Sequence, residues 1–122
     1  MYSSINDLPV ALDLPEGTLR QISWGYMTIE AGRAKKDFVP ELIVQGSPST
    51  RCQCPHWGYV VKGRMRLKYP DHEEVYQAGD VYYAMPHHLT YFEAGCEYVE
   101  FSPTIEFNKA KEAAKEYQGT LK

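Results

Sequence analysis

Between Arg51 and Gly63 the chain reads RCQCPHWGYVVKG, and Cys52, Cys54 and His56 fall at every second position. Thiolate and imidazole are the donors that bind zinc and similar metals, so this spacing raises metal chemistry first. In an extended strand, residues at i, i+2 and i+4 share one face, and the three side chains would project together. On a straight strand, however, positions 52 and 56 stand roughly 13 Å apart at ~3.3 Å per residue. A metal holds sulfur at about 2.3 Å and nitrogen at about 2.1 Å, so a flat strand does not close the site. Pro55 lies inside the stretch, and proline within a strand marks an edge or a bulge, which would supply the bend.

Two other readings compete. A Cys52–Cys54 disulfide would be strained at this separation along a strand, and a reducing compartment opposes it. Two buried free thiols are ordinary core residues, because cysteine packs as a small hydrophobe. A histidine two positions further on the same face tips the balance towards metal. Further along, AGDVYYAMPHHLTYFEAG places a Gly79-Asp80 turn before a strand that leads to Pro86, His87 and His88. His88 shares a face with Thr90 and Phe92 by the two-residue period, and His87 points the other way as a surface residue. Cys96, in AGCE, has no companion and reads as structural.

Short strands are expected to position these residues. LRQISWGYMTIEA, Leu19 to Ala31, is rich in β-branched and aromatic residues and precedes the turn-like GRAKKD. ELIVQG and the loop SPST follow, then the quoted stretch. RMRLKY alternates, with Met65, Leu67 and Tyr69 on one face and Arg64, Arg66 and Lys68 on the other. EVYQ, VYYAM, LTYF and EYVEF are separated by turn signals, the pattern of an antiparallel sandwich or barrel. Residues 1–18 read as an extended lead-in punctuated by Pro9, Pro15 and Gly17. Residues 104–119 read as one terminal helix, with Ala110, Ala113, Ala114 and Tyr117 at helical spacing. Asn108 or Ser102 would serve as its N-cap and Gly119 as its stop.

The chain has 122 residues, enough for one domain with one core. Hydrophobic residues at 43% and charged residues at 24% place it among soluble globular proteins. A formal charge of −3 with scattered Lys and Arg argues against nucleic acid. Neither a signal-peptide pattern nor a membrane-length apolar run is present in the sequence, so a cytoplasmic protein without a membrane partner is expected. Three cysteines, an odd number, fit reduced thiols.

CQCPHWGYVVKGRMRL followed by EEVYQAGDVYYAMPHH resembles the two motifs of the cupin superfamily, over roughly residues 19–103. The resemblance implies an all-β fold, a double-stranded β-helix or jelly-roll-like barrel, here with one C-terminal α-helix. Aligning the first motif's glycine on Gly63 puts His56 in the glutamate slot, Cys52 in the second-histidine slot and Thr50 in the first-histidine slot. His88 takes the histidine slot of the second motif. Cys54 has no counterpart there. The implied ligand set is Cys52, Cys54, His56 and His88, and thiolate with imidazole favours zinc or iron over manganese.

The resemblance further implies a small-molecule pocket at the barrel mouth, with Tyr83, Met65, Leu67, Phe92 and Phe101 as candidate lining and Tyr83 as a candidate proton-transfer residue. Met65 and Leu67 taken singly read as plain core. Two functions follow from it. One is a small metalloenzyme of the oxygenase, decarboxylase, isomerase or lyase type; the other is a non-catalytic metal-dependent binding or sensing module. Four protein donors would close a tetrahedral zinc shell, whereas three would leave it open. The resemblance also implies a homodimer, for which the aromatic ISWGYM stretch offers a surface.

Overall fold

The computed structural model describes residues 1–38 and 51–120. The expected strand ELIVQG, the loop SPST and Thr50 lie outside the described residues. Nine strands are described: β1 (Val10–Leu14), β2 (Gly17–Trp24), β3 (Met27–Ala34), β4 (His56–Lys62), β5 (Arg64–Lys68), β6 (Glu73–Gln77), β7 (Val81–Ala84), β8 (Leu89–Phe92) and β9 (Glu97–Pro103). They form a six-stranded sheet in the order β1-β2-β3-β9-β4-β7 and a three-stranded sheet in the order β6-β5-β8. All named pairings are antiparallel. Helix α1 (Thr104–Thr120) ends the described chain, and no helix among the described residues is long and apolar enough to cross a membrane.

Alternation fixes which side chains enter. Met65, Leu67 and Tyr69 are buried, as the RMRLKY pattern requires, while Arg64 stays exposed and Arg66 pairs with Glu73 at 3.1 Å. Inward residues of both sheets merge into one core that includes Val60, Met65, Leu67, Tyr76, Tyr82 and Tyr98. Met65 and Leu67 are therefore core, as their individual patterns indicate. Gly63 turns β4 into β5 at φ +74, and a Cβ there would press on the Cys96 backbone at 2.8 Å. The glycine on which the motif alignment rests is thus a steric requirement.

Three local expectations are corrected. The lead-in is partly ordered structure: a 3-10 turn spans Ile5–Asp7, and β1 pairs with β2 at the sheet edge. The turn expected at GRAKKD begins later, because β3 runs on to Ala34, and the strand-rich stretch Leu19–Ala31 turns at Gly25-Tyr26, with Trp24 paired to Met27. Helix α1 starts directly after Pro103, so Asn108 lies inside it, and the Ser102 hydroxyl is held by His56 instead of capping.

Two glycines in strand interiors carry aromatic rings. Gly32 pairs with Tyr98 across β3 and β9, and Gly58 pairs with Tyr82 across β4 and β7. Each ring lies flat over its glycine, in space that a Cβ would occupy. The rings fill the gap that a strand glycine leaves and carry their hydroxyls inward. Gly58→Ala should destabilise the fold by about 1–3 kcal/mol through overpacking against Tyr82, a loss that chemical denaturation would read. Unchanged stability would show that the ring position is not fixed by the glycine.

Candidate metal centre

Cys52 is joined to His88 by an antiparallel backbone bridge, with Cys52 N–H donating to the His88 carbonyl at 2.9 Å. The Cys52 carbonyl accepts from His87 N–H at 2.8 Å and His88 N–H at 3.3 Å. This bridge, and not a continuous ligand strand, brings the two motifs together. Residues 51–55 are outside the named strands, and β4 begins only at His56. His87 takes φ +80, a left-handed conformation uncommon for a residue with a side chain. At that position the chain turns so that His87 is exposed, bonded to Gln53 at 3.0 Å, while His88 is buried.

The donor atoms of Cys52, His56 and His88 all lie within 4.8 Å of one another. Cys52 Sγ stands 3.6 Å from His56 Nε2. Tetrahedral zinc with sulfur at about 2.3 Å and nitrogen at about 2.05 Å separates those two atoms by about 3.6 Å, so the pair fits such an ion. Both imidazoles are set for ligation by what their other nitrogen touches. His88 Nδ1 is 2.6 Å from the Met85 carbonyl. A carbonyl only accepts, so Nδ1 carries the proton and Nε2 keeps its lone pair.

His56 is held by a longer chain. Its Nδ1 lies 2.6 Å from Ser102 Oγ, Ser102 hydrogen-bonds the Cys54 thiol, and Cys54 Sγ donates to the Pro55 carbonyl at 3.4 Å. A hydroxyl that accepts from His56 Nδ1–H would leave Nε2 free to ligate, and Ser102 Oγ is placed to do so. Cys54 is thus fully buried but stands outside the donor group that sequence spacing assigned it to. Beyond the turn at Pro55 its side chain faces Ser102 rather than Cys52's partners.

Burial governs the titration of these groups. It pushes the Cys52 thiol up to about 11 and Cys54 to about 12. It holds both imidazoles below the usual histidine range, His88 at about 4. Neutral imidazoles are the form that ligates.

Beneath the group sit two acids that the sequence reading missed, Glu100 buried and Glu30 half-buried. Glu30 and Glu100 are directly paired on β3 and β9. Tyr98 donates to Glu30 at 3.1 Å, Gln21 donates to Glu30 at 2.8 Å, and Tyr82 donates to Glu100 at 2.7 Å. The two carboxyls face each other across the strand pairing, so ionising both is disfavoured. Burial pushes both up to about 7, and the charge of Glu100 adds to the shift at Glu30. His56 Nδ1 is 3.8 Å from Glu100. Alternation hides them, because in TIEA and EYVEF the apolar Ile29, Ala31, Val99 and Phe101 fall on the opposite face and the glutamates read as solvent-facing.

Tyr83 and Phe101 do not line this interior. Tyr83 pairs with Trp57, whose side chain faces opposite to His56, and it is exposed on the outer face with its ring stacked on Trp57 at 5.1 Å. Phe101 shares that outer face, whereas Phe92 packs against the core. The phenol beside the metal group is Tyr69, edge-on to His88 at 6.4 Å between centroids. Its hydroxyl accepts from Met85 N–H at 2.9 Å.

No family model and no curated protein matches the sequence. Solved structures do resemble the fold. An RmlC-like cupin from Shewanella frigidimarina NCIMB 400 aligns with a TM-score of 0.57 at 16% identity, covering 84% of this chain and 89% of that one. KdgF from Halomonas sp. aligns at 0.56 and 16% identity, over 80% of this chain and 88% of its own. The polyketide cyclase RemF from Streptomyces resistomycificus aligns at 0.58 and 14% identity, over 84% and 78%.

Two predictions follow from the site. Ser102→Ala should lower zinc affinity about 10- to 100-fold by freeing the His56 ring, as read by competition with a chromophoric chelator. Unaltered affinity would remove Ser102 from the support of His56. The second concerns pH. The raised glutamates make the folded metal-free chain bind more protons than the unfolded chain between pH 4.5 and about 7, so their contribution to stability falls as pH rises through that window. The depressed histidines act oppositely between about 4 and 6.5 and are spent above it. Stability should therefore drop by about 1 kcal/mol from pH 6.5 to 8, and Glu30→Gln should flatten that drop. A wild-type melting temperature that rises over this interval would contradict the assignment. Two antiparallel sheets, the turn at Gly63 and these structural likenesses establish that the chain has the cupin fold.

Proposed function

We propose that the chain is a metal-dependent enzyme of the cupin type, acting on a small organic molecule with a divalent zinc or iron ion held by Cys52, His56 and His88. The observation that supports this most is the convergence of the donor atoms of Cys52, His56 and His88 within 4.8 Å of one another, with Cys54 outside the group. Three protein donors leave a coordination position for water or substrate. A sensing module with a saturated shell would need a fourth donor, and the Cys54 thiol is occupied with Ser102 and Pro55. The fold alone decides nothing here, although one of its structural neighbours is a polyketide cyclase.

Bound there, the ion would supply Lewis acidity to a substrate oxygen and hold Cys52 as thiolate. The chain's own residues do the rest. Met85 and Ser102 hold the imidazoles in the ligating tautomer. Tyr69, whose hydroxyl also bonds Tyr76, stands where a proton could be moved beside the group, the part first assigned to Tyr83. Tyr76 donates in turn to Glu74 at 2.5 Å, so the chain of hydroxyls leads towards the surface.

Elemental analysis of protein purified without a chelating tag, under reducing and anaerobic conditions, should find about one equivalent of zinc or iron per chain. Cys52→Ala, His56→Ala and His88→Ala should each lower affinity by an order of magnitude or more, while His87→Ala and Cys54→Ala retain the ion. Equal metal content in all five variants would sink the site. Loss in Cys54→Ala as complete as in Cys52→Ala would instead indicate four donors and a closed shell.

A further inference from the structure

The inward face of the β1–β2 hairpin is apolar and only partly covered. Leu12 pairs with Leu19 and Leu14 with Gly17, so all of them lie on the face that carries the core on β3. The row from Leu14 runs on through Gly17 to Ala34, and two such small residues leave a hollow beside the leucines. Gly17 is kept small by the Arg33 carbonyl, which stands 2.5 Å from where a Cβ would be. Phe38 and Phe92 face the leucines across the hollow with ring centroids 6.0 Å apart, and Tyr98 forms its floor. The resulting cleft measures about 190 Å³ and opens to solvent, with Leu12 45% and Leu14 44% exposed.

We propose that this cleft is a second binding site, and that it takes a neutral apolar molecule about the size of a benzene ring carrying a short alkyl group. Edge strands are normally kept polar, so leucines aimed into a hollow from β1, the edge of its sheet, fit a ligand-covered state better than an open one. Volume sets the size. A cavity of about 150 Å³ lined by leucine, isoleucine and phenylalanine stays dry and admits benzene, and this cleft is somewhat larger with the same kind of wall. It is too small for a helix of a partner protein, which is about 10 Å across.

Chemistry sets the charge. The Tyr98 hydroxyl is turned to Glu30 at 3.1 Å, so only its ring reaches the cleft. At the lip Arg33 is paired with Glu97 at 3.3 Å, and the Glu16 side chain stands in solvent. No buried side-chain nitrogen or oxygen among the described residues is left without a hydrogen bond, so the walls offer neither water nor a polar ligand a free partner. Apolar surface, by contrast, gains by leaving water. The metal donors stand at the other end of the strands. Ser102, which contacts His56, lies four residues along β9 from Tyr98, roughly 13 Å at ~3.3 Å per residue. The cleft is therefore a different place from the pocket that the resemblance implies beside the metal.

Toluene is the probe. Titrated into the full chain and followed in proton–carbon correlation spectra, it should shift the methyl signals of Leu12, Leu14 and Leu19 together and saturably, with a dissociation constant on the order of a millimolar or below. Leu12→Glu and Leu14→Trp change side chains already half exposed, one charging the cleft and the other filling it. Each should weaken binding about tenfold or more, with circular dichroism to confirm folding. Cys52→Ala should bind toluene as the wild type does, so a failed metal site and a failed cleft are told apart. Absence of a saturable shift at the three leucines up to the solubility limit overturns the proposal, as does binding that survives both cleft variants. Loss in Cys52→Ala equal to that in Leu12→Glu would place the ring at the metal group and overturn it too.

Discussion

Glu100, buried, and Glu30, half-buried, face each other from adjacent strands, and two ionised carboxylates in that position repel each other where little water screens them. The barrel answers with donors. Tyr98, Gln21 and Tyr82 each point a hydrogen at one of the oxygens, and burial holds both carboxyls up to about 7, so that a proton kept by either acid removes one of the two charges. Those donors dictate sequence elsewhere. A tyrosine can lie flat enough to deliver its hydroxyl only where the facing strand has no Cβ, hence Gly32 under Tyr98 and Gly58 under Tyr82. Strand register is pinned by the same requirement, since a one-residue slip would turn both acids outward and both rings off their glycines.

The metal group sits one layer above, at the end of the strands where the inward row is Thr28, Ser102 and His56. Here too the polar side chains are fully partnered: no buried side-chain nitrogen or oxygen among the described residues lacks a hydrogen bond. Partnering does more than avoid a penalty at this place. The hydrogen bond from His88 ends on the Met85 carbonyl, which accepts and never donates, so its direction is settled and its Nε2 keeps the lone pair, while Ser102 Oγ stands on His56 Nδ1 where it can accept in the same way. Cys54 and Cys52 thus have different tasks although they are two residues apart and equally suited to bind metal. One closes a chain of donors and the other faces the imidazoles.

The strands that alternate cleanly were legible from sequence, and so was the spacing of Gly63, His56, Cys52 and His88, because steric requirements at turns and the two-residue period act locally. What misled was also local. Treating Arg51 to His56 as one strand put both cysteines on one face, but the stretch before His56 is held by a bridge to His88, and the period does not apply to it. Tyr83 was assigned inward because it sits in the second motif; its pairing with Trp57 places it outside. Glu30 and Glu100 went unnoticed because the apolar residues on either side make them read as solvent-facing until their partners, distant in sequence, are known.

β4 and β9 show why an inner site and an outer face need not compete for sequence. Along β4, His56 and Val60 point in while Trp57 and Tyr59 point out; along β9, Glu100 and Ser102 point in while Phe101 and Val99 point out. Alternate positions therefore serve two surfaces with opposite chemistry on the same backbone, one polar and buried, the other apolar and open. The arrangement also ties the two mechanically. His56 is covalently next to Trp57, and Ser102 next to Phe101, so the backbone that carries the outer Trp57–Tyr83 stack also sets the distance from His56 to Ser102. A metal ion held by three donors there would depend on that distance, because with an open position it gains no fourth protein ligand to make up for a loose one.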